Sequence, residues 1–533
     1  MIELPVRFNA AAHFIDPHRR DRPEKIAIEC GGDRVTYAEL AARVNRTGNA
    51  LRHALGVRME ERVLLLLLDT PEFAACFFGA IKIGSVPVPV NTLLKARIYE
   101  YLLNDSRARV AMVSDALLPQ IQAIPRERLH FLEHVVVVGD AAHGTHSYAE
   151  LISAQSPELD PAPTHKDDPA FWLYSSGSTG PPKACVHLQH DMVVTSELYA
   201  KQILCVTESD RFFSVAKLFF AYGLGNGLYF PLAVGATSIL LPGPPQPAAV
   251  FQAIERHRPT LFFSVPSNYA ALLAHTRPGA DFDLSSVRHA VSAGEALPPA
   301  IFERFKARFG VEILDAIGST EALHMFIANR PGDVRPGSSG RIISGMDAVI
   351  LDDDGQIVRD GEIGNLYIRS DAACSHYWNQ HQKTKDSIEG HWLRTGDKYR
   401  CDAEGYFWYA GRTDDMLKVS GAWVSPAEIE STLVEHPDVL EAAVVGRADK
   451  DELVKPVAFV VLREGKATGP EEARMLQEFV AERLAVYKRP RWVEFLPELP
   501  KTATGKIQRF KLRQSPAASP ELHATTQGSS SDQ

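Results

Sequence analysis

The sequence predicts an α/β fold, with a large N-terminal domain of layered sheets and helices, a smaller β lobe, and a small α+β C-terminal domain. Strand-like apolar runs alternate with helical patterns through most of the chain, which is typical of layered folds with mostly parallel sheets. Shorter strand patterns punctuated by glycine, at 361–370 and 405–411, indicate the β lobe. The 533 residues are enough for more than one domain.

Capping and periodicity assign the first elements. Thr36 and Glu39 form a capping-box pattern that opens an amphipathic helix through Leu51. The run 63–68 is purely aliphatic between charged residues, so it predicts a buried strand and is far too short to cross a bilayer. Later patterns indicate a helix at 71–83 and strands at 86–90, 110–113, 135–138, 237–241 and 261–265.

The character of the sequence changes at residues 412–415, where a polar segment begins. We therefore place residues 1–412 in the N-terminal domain and residues 413–514 in a C-terminal domain of ordinary size. A helix from Pro426 through Val434 and a βααβ-like run to Arg513 are expected in the second domain. Residues 515–533 are rich in Ser, Pro, Ala and Thr, which predicts a disordered tail.

Composition excludes several classes of function. The chain has 57 Lys and Arg against 66 Asp and Glu, a net charge of −9, and no basic block, which argues against nucleic acid as a partner. Neither a signal-peptide pattern nor a membrane-spanning run is visible, so no membrane partner is expected. The six cysteines form no CxxC pair, and we expect them to be reduced packing residues in a cytoplasmic protein. Whether the chain forms a homodimer is left open.

The segment from Tyr174 to Lys183 carries the strongest functional signal. Small residues and glycines let backbone N–H groups converge on phosphate oxygens, while hydroxyls add donors and the lysine adds a mobile charge. It differs from a Walker P-loop, because two prolines separate Gly180 from Lys183. The alternative is a flexible surface linker. The candidate nucleotide-binding residues are Ser175, Ser176, Gly177, Ser178, Thr179, Gly180 and Lys183.

Three shorter segments add polar groups. The hydroxyls of Ser319 and Thr320 could donate to a phosphate, and the Glu321 carboxylate could hold Mg²⁺. For this segment alone, however, a capped helix N-terminus is the favoured interpretation. Asp397 ends a predicted loop and could accept both hydroxyls of a ribose, the alternative being an Asx-type turn. Lys506 lies in another small-residue loop, for which a solvated basic turn is the alternative.

One further pattern, His187 followed by Asp191, matches the HxxxD arrangement of some acyltransferases, in which the histidine is a general base. Two fixed positions in five residues are a weak match, and the neighbouring lysine loop gives a better account of this region. We therefore treat the match as chance.

The order of the motifs is more specific than any one of them. A Ser/Thr/Gly-rich loop ending in Pro-Lys is followed by Gly-Ser-Thr-Glu, Thr-Gly-Asp, Gly-Arg-Thr-Asp-Asp and a terminal Thr-Gly-Lys. This order resembles the acyl-adenylate-forming superfamily, which includes acyl-CoA synthetases, peptide-synthetase adenylation domains and firefly luciferase. The resemblance runs from Thr36 to Lys506. Within it, segments 217–226, 292–298 and 323–326 look like benzoate-CoA ligases of the benzoate or 2-aminobenzoate type.

The resemblance implies an AMP-forming acid–thiol ligase. ATP and a small aromatic carboxylic acid would give an acyl-adenylate and pyrophosphate, and coenzyme A would then displace AMP. Mg²⁺ and lysines would neutralise the repelling charges. By this resemblance, residues 175–183 would bind the β,γ-phosphates, Thr320 the α-phosphate and Glu321 the Mg²⁺ ion. Asp397 and Arg412 would bind the ribose, and Glu295 and Asp315 would lie near the adenine. Asp414 would be the hinge of a mobile C-terminal domain, Lys506 would serve adenylation, and Lys418 would serve thioester formation.

By the same analogy, the acyl pocket would be lined by Ala221, Tyr222, Gly318, His324 and Ile327. A flat slot closed by an aromatic residue and floored by glycine suits one ring and no long alkyl chain. Tyr222 and His324 could form hydrogen bonds to a substituent on the ring of the acid. Alternatively, His324 could be a packed residue whose hydrogen bonds are satisfied within the protein. Benzoate and 2-aminobenzoate are the leading substrates, followed by hydroxybenzoates.

Two other classes of function stay open. The chain could be a stand-alone adenylation enzyme that loads the phosphopantetheine of a carrier protein, or a catalytically silent nucleotide-binding regulator. The presence of Glu321, Asp397, Lys418 and Lys506 argues against the regulator.

Overall fold

A computed structural model describes residues 2–175, 181–275, 282–413, 415–419, 422–449, 453–501 and 507–514, with only the backbone described for Lys418, Ala422 and Trp423. These residues form two compact units, one containing the described residues through Thr413 and the other those from Asp415 onward. The domain bounds given above stay predictions.

The larger unit alternates strands and helices, which confirms the α/β class. Its strands are β1 (Ile26–Cys30), β2 (Asp33–Thr36), β3 (Arg62–Leu66), β4 (Val86–Pro89), β5 (Val110–Ser114), β6 (His134–Val138), β7 (His146–Ser147), β8 (Pro169–Ser175), β9 (Lys183–Leu188), β10 (Arg211–Ser214), β11 (Thr237–Leu240), β12 (Leu261–Ser264), β13 (His289–Ser292), β14 (Ile313–Gly318), β15 (Met325–Ala328), β16 (Arg341–Ile342), β17 (Asp347–Leu351), β18 (Gly364–Arg369), β19 (His376–Tyr377), β20 (Ile388–Glu389), β21 (Trp392–Cys401) and β22 (Phe407–Arg412).

Helices connect and cover these strands. They are α1 (Ala10–Asp21), α2 (Tyr37–Asn49), α3 (Pro71–Lys82), α4 (Ala96–Ser106), α5 (Leu118–Gln122), α6 (Tyr148–Ser153), α7 (Asp191–Thr195), α8 (Ala221–Leu224), α9 (Phe230–Val234), α10 (Pro247–His257), α11 (Pro266–His275), α12 (Pro299–Phe309) and α13 (His381–Ser387). Among the helices that the model describes, none is both long and apolar enough to span a bilayer.

The largest sheet positions the candidate site. Its strand order is β2-β1-β11-β10-β12-β13-β14-β15-β16. The run from β1 to β14 is parallel, whereas β15 and β16 are antiparallel to their neighbours. The carboxyl ends of β12, β13 and β14 therefore lie along one edge, which is where open parallel sheets bind ligands.

A second, parallel sheet has the order β4-β3-β5-β6-β7. The predicted buried strand at 63–68 is confirmed as β3, whose residues Val63 to Leu66 are fully buried between β4 and β5. The predicted capping box is also confirmed, because the Thr36 side chain accepts from Glu39 N–H and the Glu39 carboxylate accepts from Thr36 N–H. Helix α2 ends at Asn49, and a π-helical segment, Ala50–Ala54, follows it.

Two smaller sheets complete the larger unit. Strands β8 and β9 form an antiparallel hairpin that β19 joins. The predicted β lobe is a sheet of order β17-β18-β21-β20, with β22 also paired to β21. The cysteines are free, and Cys205 is exposed rather than packed as expected.

The smaller unit contains β23 (Leu417–Val419), β24 (Ala422–Val424), α14 (Pro426–Glu435), β25 (Val439–Ala448), β26 (Val454–Leu462), α15 (Pro470–Arg483), β27 (Trp492–Phe495) and α16 (Arg509–Gln514). The helix predicted from Pro426 is confirmed. The βααβ-like order after it is wrong, since two adjacent strands, β25 and β26, come first. They pair along their whole length, and each contains a continuous buried run, 442–445 in β25 and 456–461 in β26, which is typical of a strand covered on both faces.

Candidate active site

The phosphate loop predicted from the sequence joins β8 to β9. Ser175 is the last residue of β8 and Lys183 the first of β9, and the two are paired across the hairpin. Ser176, Gly177, Ser178, Thr179 and Gly180 lie outside the described residues. Both ends of the loop are therefore anchored in strands, and the antiparallel pairing brings Ser175 and Lys183 side by side.

Residues 319–324 form a tight turn between β14 and β15. The alternative interpretation, a helix N-terminus, is therefore wrong. Leu323 in this turn has φ 65° and is fully buried, a left-handed conformation that costs a non-glycine residue of order 1–3 kcal/mol and tends to occur at functional sites. The chain adopts it to reverse direction between two paired strands while keeping Thr320 and Glu321 at the carboxyl edge of the sheet.

Glu321 and its neighbours form a compact charged cluster. The Lys183 ammonium lies 3.0 Å from Glu321 Oε1, Ser175 Oγ donates to the same oxygen at 3.2 Å, and Tyr377 OH donates to it at 3.0 Å. Lys183 Nζ also donates to Tyr377 OH at 2.7 Å. We call these four residues the charged cluster. They are the predicted phosphate and metal ligands that the fold brings together, plus Tyr377, which the sequence analysis missed.

Electrostatics keep the cluster in a defined protonation state. Burial would raise the pKa of Glu321, but the Lys183 ammonium and its hydrogen bond, with that from Tyr377, lower it below its usual value. Burial and the nearby Glu321 carboxylate raise the pKa of Tyr377 well above its usual range. Glu321 is therefore an anion and Tyr377 a neutral donor near neutral pH.

Glu321 suits a cation that arrives with phosphate. In the part of the chain described by the model, no three His, Cys, Asp or Glu side chains are grouped so as to hold a metal. Mg²⁺ usually keeps waters and substrate phosphate oxygens and takes only one or two protein carboxylates. A single half-buried carboxylate beside Ser175 and Lys183, the two ends of the predicted phosphate loop, fits that kind of site.

The His187–Asp191 match that we treated as chance is connected to this turn. His187 in β9 and Asp191 at the start of α7 are both fully buried, with Nδ1 2.9 Å from Asp191 Oδ2. The other ring nitrogen, Nε2, lies 2.9 Å from the Thr320 carbonyl oxygen. The HxxxD spacing was the signal that could have found this pair.

A cluster of aromatic side chains lies at the other end of the turn, and we call its members, His324, Tyr222, Tyr199 and Phe230, the aromatic pocket. The ring of His324 lies 5.8 Å from that of Tyr222, 5.3 Å from that of Tyr199 and 4.5 Å from that of Phe230, between centroids. Tyr222 OH is 3.2 Å from the carbonyl oxygens of Ser264 and Val291. This fixes its ring at the carboxyl ends of β12 and β13.

The two ring nitrogens of His324 differ in their hydrogen bonding to the described residues. Its Nε2 is 3.2 Å from Asn226 Oδ1, whereas Nδ1 has no hydrogen-bond partner among the described residues. Burial lowers its pKa to about 3, so the ring is neutral near pH 7. With hydrogen on Nε2, facing the amide oxygen, Nδ1 is an acceptor. The packed-and-satisfied alternative is therefore only half right.

Glycines make room for His324. A Cβ on Gly225 would lie 2.6 Å from His324 Cδ2, and one on Gly318 would lie 2.4 Å from the His324 carbonyl oxygen. Gly225 opens a π-helical segment, Gly225–Tyr229, directly after α8, a feature often found at functional sites.

The remaining predicted pocket residues lie on adjacent elements. Ala221 begins α8 next to Tyr222 and is buried. Ile327 is fully buried in β15 and is paired with Ile317 of β14. Their contact with an acyl group stays a prediction.

The predicted adenine residues follow β13 and lie within β14. Asp315 is buried, and its Oδ2 accepts from Leu297 N–H at 3.3 Å, while Oδ1 has no hydrogen-bond partner in the described residues. Burial raises its pKa to about 8, so a protonated carboxyl is available as a donor near neutral pH. Glu295 is half-buried in the turn after β13.

The predicted ribose residues form an ion pair in the β lobe. Asp397 Oδ1 lies 3.2 Å from Arg412 Nη1, and the two residues are directly opposite in β21 and β22. The interpretation of Asp397 as a loop end or Asx turn is wrong, because it lies within β21. The strand has a register shift directly after Lys398, which the sequence does not reveal.

Three predicted residues are not placed as side chains. Lys506 and Asp414 lie outside the described residues, and Lys418 is described only as backbone in β23.

Comparisons with known proteins show the family of the chain. The family model "AMP-binding enzyme" matches residues 15–378, and "AMP-binding enzyme C-terminal domain" matches residues 428–506. A benzoate–CoA ligase of Thauera aromatica is 51% identical over 96% of this chain and 97% of its own.

Solved structures agree. An anthranilate CoA ligase in complex with anthranoyl-AMP has a TM-score of 0.93 and 46% identity, over 96% of this chain and 98% of its own. A benzoate CoA ligase from Burkholderia xenovorans has a TM-score of 0.88 and 46% identity, over 95% of this chain and all of its own. The match of family model, sequence and fold shows that this chain belongs to the AMP-binding enzyme family.

Proposed function

We propose that this chain is an ATP-dependent aryl-CoA ligase that activates benzoate or 2-aminobenzoate. One observation carries the proposal: a single turn, 319–324, joins the charged cluster at Glu321 to the aromatic pocket at His324. A phosphate-binding group and a ring-binding group are thereby held a few residues apart. The named relatives, which are benzoate- and anthranilate-CoA ligases, support the same assignment.

In the first half-reaction, a carboxylate oxygen of the acid attacks the α-phosphorus of ATP and the bond to pyrophosphate breaks. Mg²⁺, bound with ATP as substrate and held by Glu321, would neutralise phosphate charge. Lys183 is paired with Glu321 in this structure. A cation on that carboxylate would free the ammonium for phosphate oxygens, and Thr320 would contact the α-phosphate. Positioning and charge, rather than a protein nucleophile, supply the catalysis.

In the second half-reaction, the sulfur of CoA attacks the acyl carbonyl carbon, the bond to AMP breaks, and the thiol proton passes to solvent. We assign Lys506 to the first step, Lys418 to the second, and the pivot between them to Asp414. These roles follow from motif position. Rotation of the small domain would exchange the two lysines, a hinge motion of a known kind.

The pocket favours one ring that bears a donor. His324 Nδ1 is a buried acceptor for which the described residues provide no hydrogen-bond partner, and a buried unpaired polar atom costs about 1–3 kcal/mol. An amino or hydroxyl group on the ring of the acid would satisfy it. Benzoate fits by shape alone, whereas 2-aminobenzoate or a hydroxybenzoate adds a hydrogen bond. A cytoplasmic location and a homodimer remain predictions.

The test is a carboxylate panel with purified protein, ATP, Mg²⁺ and CoA, read as AMP release and as CoA ester by mass. Benzoate and 2-aminobenzoate should give both products, and octanoate should be poor because extra methylenes lack room. Faster turnover with octanoate than with every benzoate would contradict the proposal. Adenylate formation with transfer only to a carrier protein would favour the carrier-loading alternative, and no pyrophosphate exchange with any acid would favour the regulator.

A further inference from the structure

His187 and Asp191 form a buried titratable pair that has no part in the proposed mechanism. His187 and Asp191 have no exposed side-chain surface, and the His187 ring stacks on Phe171 at 5.1 Å and 19°. Because both ring nitrogens are engaged and neither side chain is exposed, His187 does not have the geometry of a general base for a substrate.

The hydrogen bonds define which atoms carry protons. A carbonyl oxygen can only accept, so His187 Nε2 carries hydrogen and donates to Thr320 O at 2.9 Å. Asp191 Oδ2 also accepts from Leu188 N–H at 3.0 Å, and this backbone bond fixes the carboxylate. Asp191 Oδ2, which can only accept, faces Nδ1 on the other side of the ring, so the carboxylate holds the ring in the plane that directs Nε2–H at Thr320.

The target of this bond is a turn that needs support. Leu323, three residues after Thr320, has a left-handed backbone, and its N–H also donates to Thr320 O at 3.2 Å. The next carbonyl, that of Glu321, accepts from Cys374 N–H at 2.7 Å. The turn is thus held from two sides, by His187 and by the segment before β19. A strained conformation persists only when its surroundings determine it.

We propose that His187 and Asp191 are a positioning pair that fixes the Thr320 peptide, and through it sets the place of Glu321 for the metal and phosphates of ATP. This inference rests on the proposed function. It assigns to the HxxxD segment a role in adenylation that requires no contact with substrate.

Three variants separate positioning from mere packing. Asp191→Asn keeps the volume and an acceptor for Leu188 N–H and His187 Nδ1, but it removes the negative charge that lets both ring nitrogens carry hydrogen. Nε2 then loses the hydrogen that it donates to the Thr320 carbonyl. His187→Leu removes the donor. His187→Gln keeps an amide donor near Nε2 but loses the orienting bond to Asp191. Thr195→Val is the matched control. It removes a buried hydroxyl that lies within hydrogen-bond distance of the Asp191 and Met192 carbonyls and of Tyr229 OH, but it keeps the Asp191 carboxylate, the His187 ring and every contact to the turn.

For each variant we would measure the melting temperature, the Kd of MgATP by calorimetry, and the kcat of pyrophosphate exchange with benzoate. The binding and exchange assays are run well below the lowest melting temperature of the set. We expect kcat to fall about tenfold or more in Asp191→Asn and His187→Leu and about threefold in His187→Gln, with weaker MgATP binding in the same order, since a buried hydrogen bond is involved. Thr195→Val should lose melting temperature but stay within about twofold of wild type in kcat and Kd.

The proposal is overturned if the pair variants match Thr195→Val in kcat and Kd at equal loss of melting temperature. Should Asp191→Asn and His187→Leu not fold, His187→Gln decides: kcat and Kd equal to those of Thr195→Val contradict the role. An inactive wild type would instead refute the proposed function, and MgATP affinities that still follow the expected order would preserve the positioning role.

Discussion

The charged cluster and the aromatic pocket lie at opposite ends of one turn and follow opposite chemistry. In the cluster, Lys183 and Glu321 compensate each other's charge and are 15% and 17% exposed. In the pocket, His324 is neutral, fully enclosed and surrounded by rings. The difference suggests a division of labour: the cluster serves a step common to every acid, and the pocket selects among acids. Variants on the two sides should therefore fail in different ways.

The largest effect is expected from Glu321→Gln, which keeps size and removes the charge that would hold Mg²⁺. Pyrophosphate exchange should fall about a hundredfold or more with every acid, while the melting temperature is kept. Glu312→Gln removes a surface carboxylate paired with Lys306 and is the control. If Glu321→Gln catalyses pyrophosphate exchange at the wild-type rate at limiting Mg²⁺, Glu321 is not a ligand of the metal.

A smaller, similarly uniform effect is expected from Tyr377→Phe. The change deletes the hydroxyl that bridges Lys183 and Glu321, so exchange should fall about tenfold with benzoate and 2-aminobenzoate alike. Tyr37→Phe, which loses one buried bond to the Ala236 carbonyl, controls for lost stability. If both variants behave alike in steady-state kinetics, Tyr377 is only a packing residue.

His324→Ala should act on preference instead. Removing the acceptor Nδ1 should change the ratio of kcat/KM for 2-aminobenzoate over benzoate about threefold to tenfold, with the KM for ATP within about twofold of wild type. Tyr199→Phe keeps the ring packed on His324 and removes a hydroxyl without a partner in the described residues. It should leave the ratio unchanged. A uniform loss across acids with a lower melting temperature would support a packed histidine.

The smallest effect concerns pH. Burial lowers the pKa of His324 to about 3 from 6.5, so the ring stays neutral in the folded protein down to that pH. In the unfolded chain the ring becomes protonated below pH 6.5. His324 therefore lowers the free energy of unfolding as the pH falls from 6.5 toward 3. The wild-type substrate ratio should be flat from about pH 5 to pH 9. A ratio that titrates near pH 6.5 would mean a solvated ring.

Local patterns were readable from the sequence, and long-range contacts were not. The Thr36 cap, the buried β3 strand and the ends of the Ser175–Lys183 loop depend on neighbours in the chain. Tyr377 reaches Glu321 across 56 residues, and His187 reaches Thr320 across 133. Nothing near Tyr377 in the sequence distinguishes it from an ordinary core residue. The HxxxD spacing indicates that His187 pairs with Asp191, but it does not indicate the contact with Thr320.

Errors in the interpretation have the same origin. Thr320 and Glu321 have the composition of a helix start, but the antiparallel pairing of β14 with β15 requires a tight turn there. The βααβ order is wrong because periodicity alone does not distinguish a short, fully buried strand such as β26 from a buried helix segment.

One measurement tests the division of labour directly: the ratio of pyrophosphate exchange with 2-aminobenzoate to that with benzoate, compared among wild type, Glu321→Gln and His324→Ala. Our account predicts that Glu321→Gln keeps the wild-type ratio at a much lower rate, whereas His324→Ala changes the ratio. A ratio that changes as much in Glu321→Gln as in His324→Ala would contradict it.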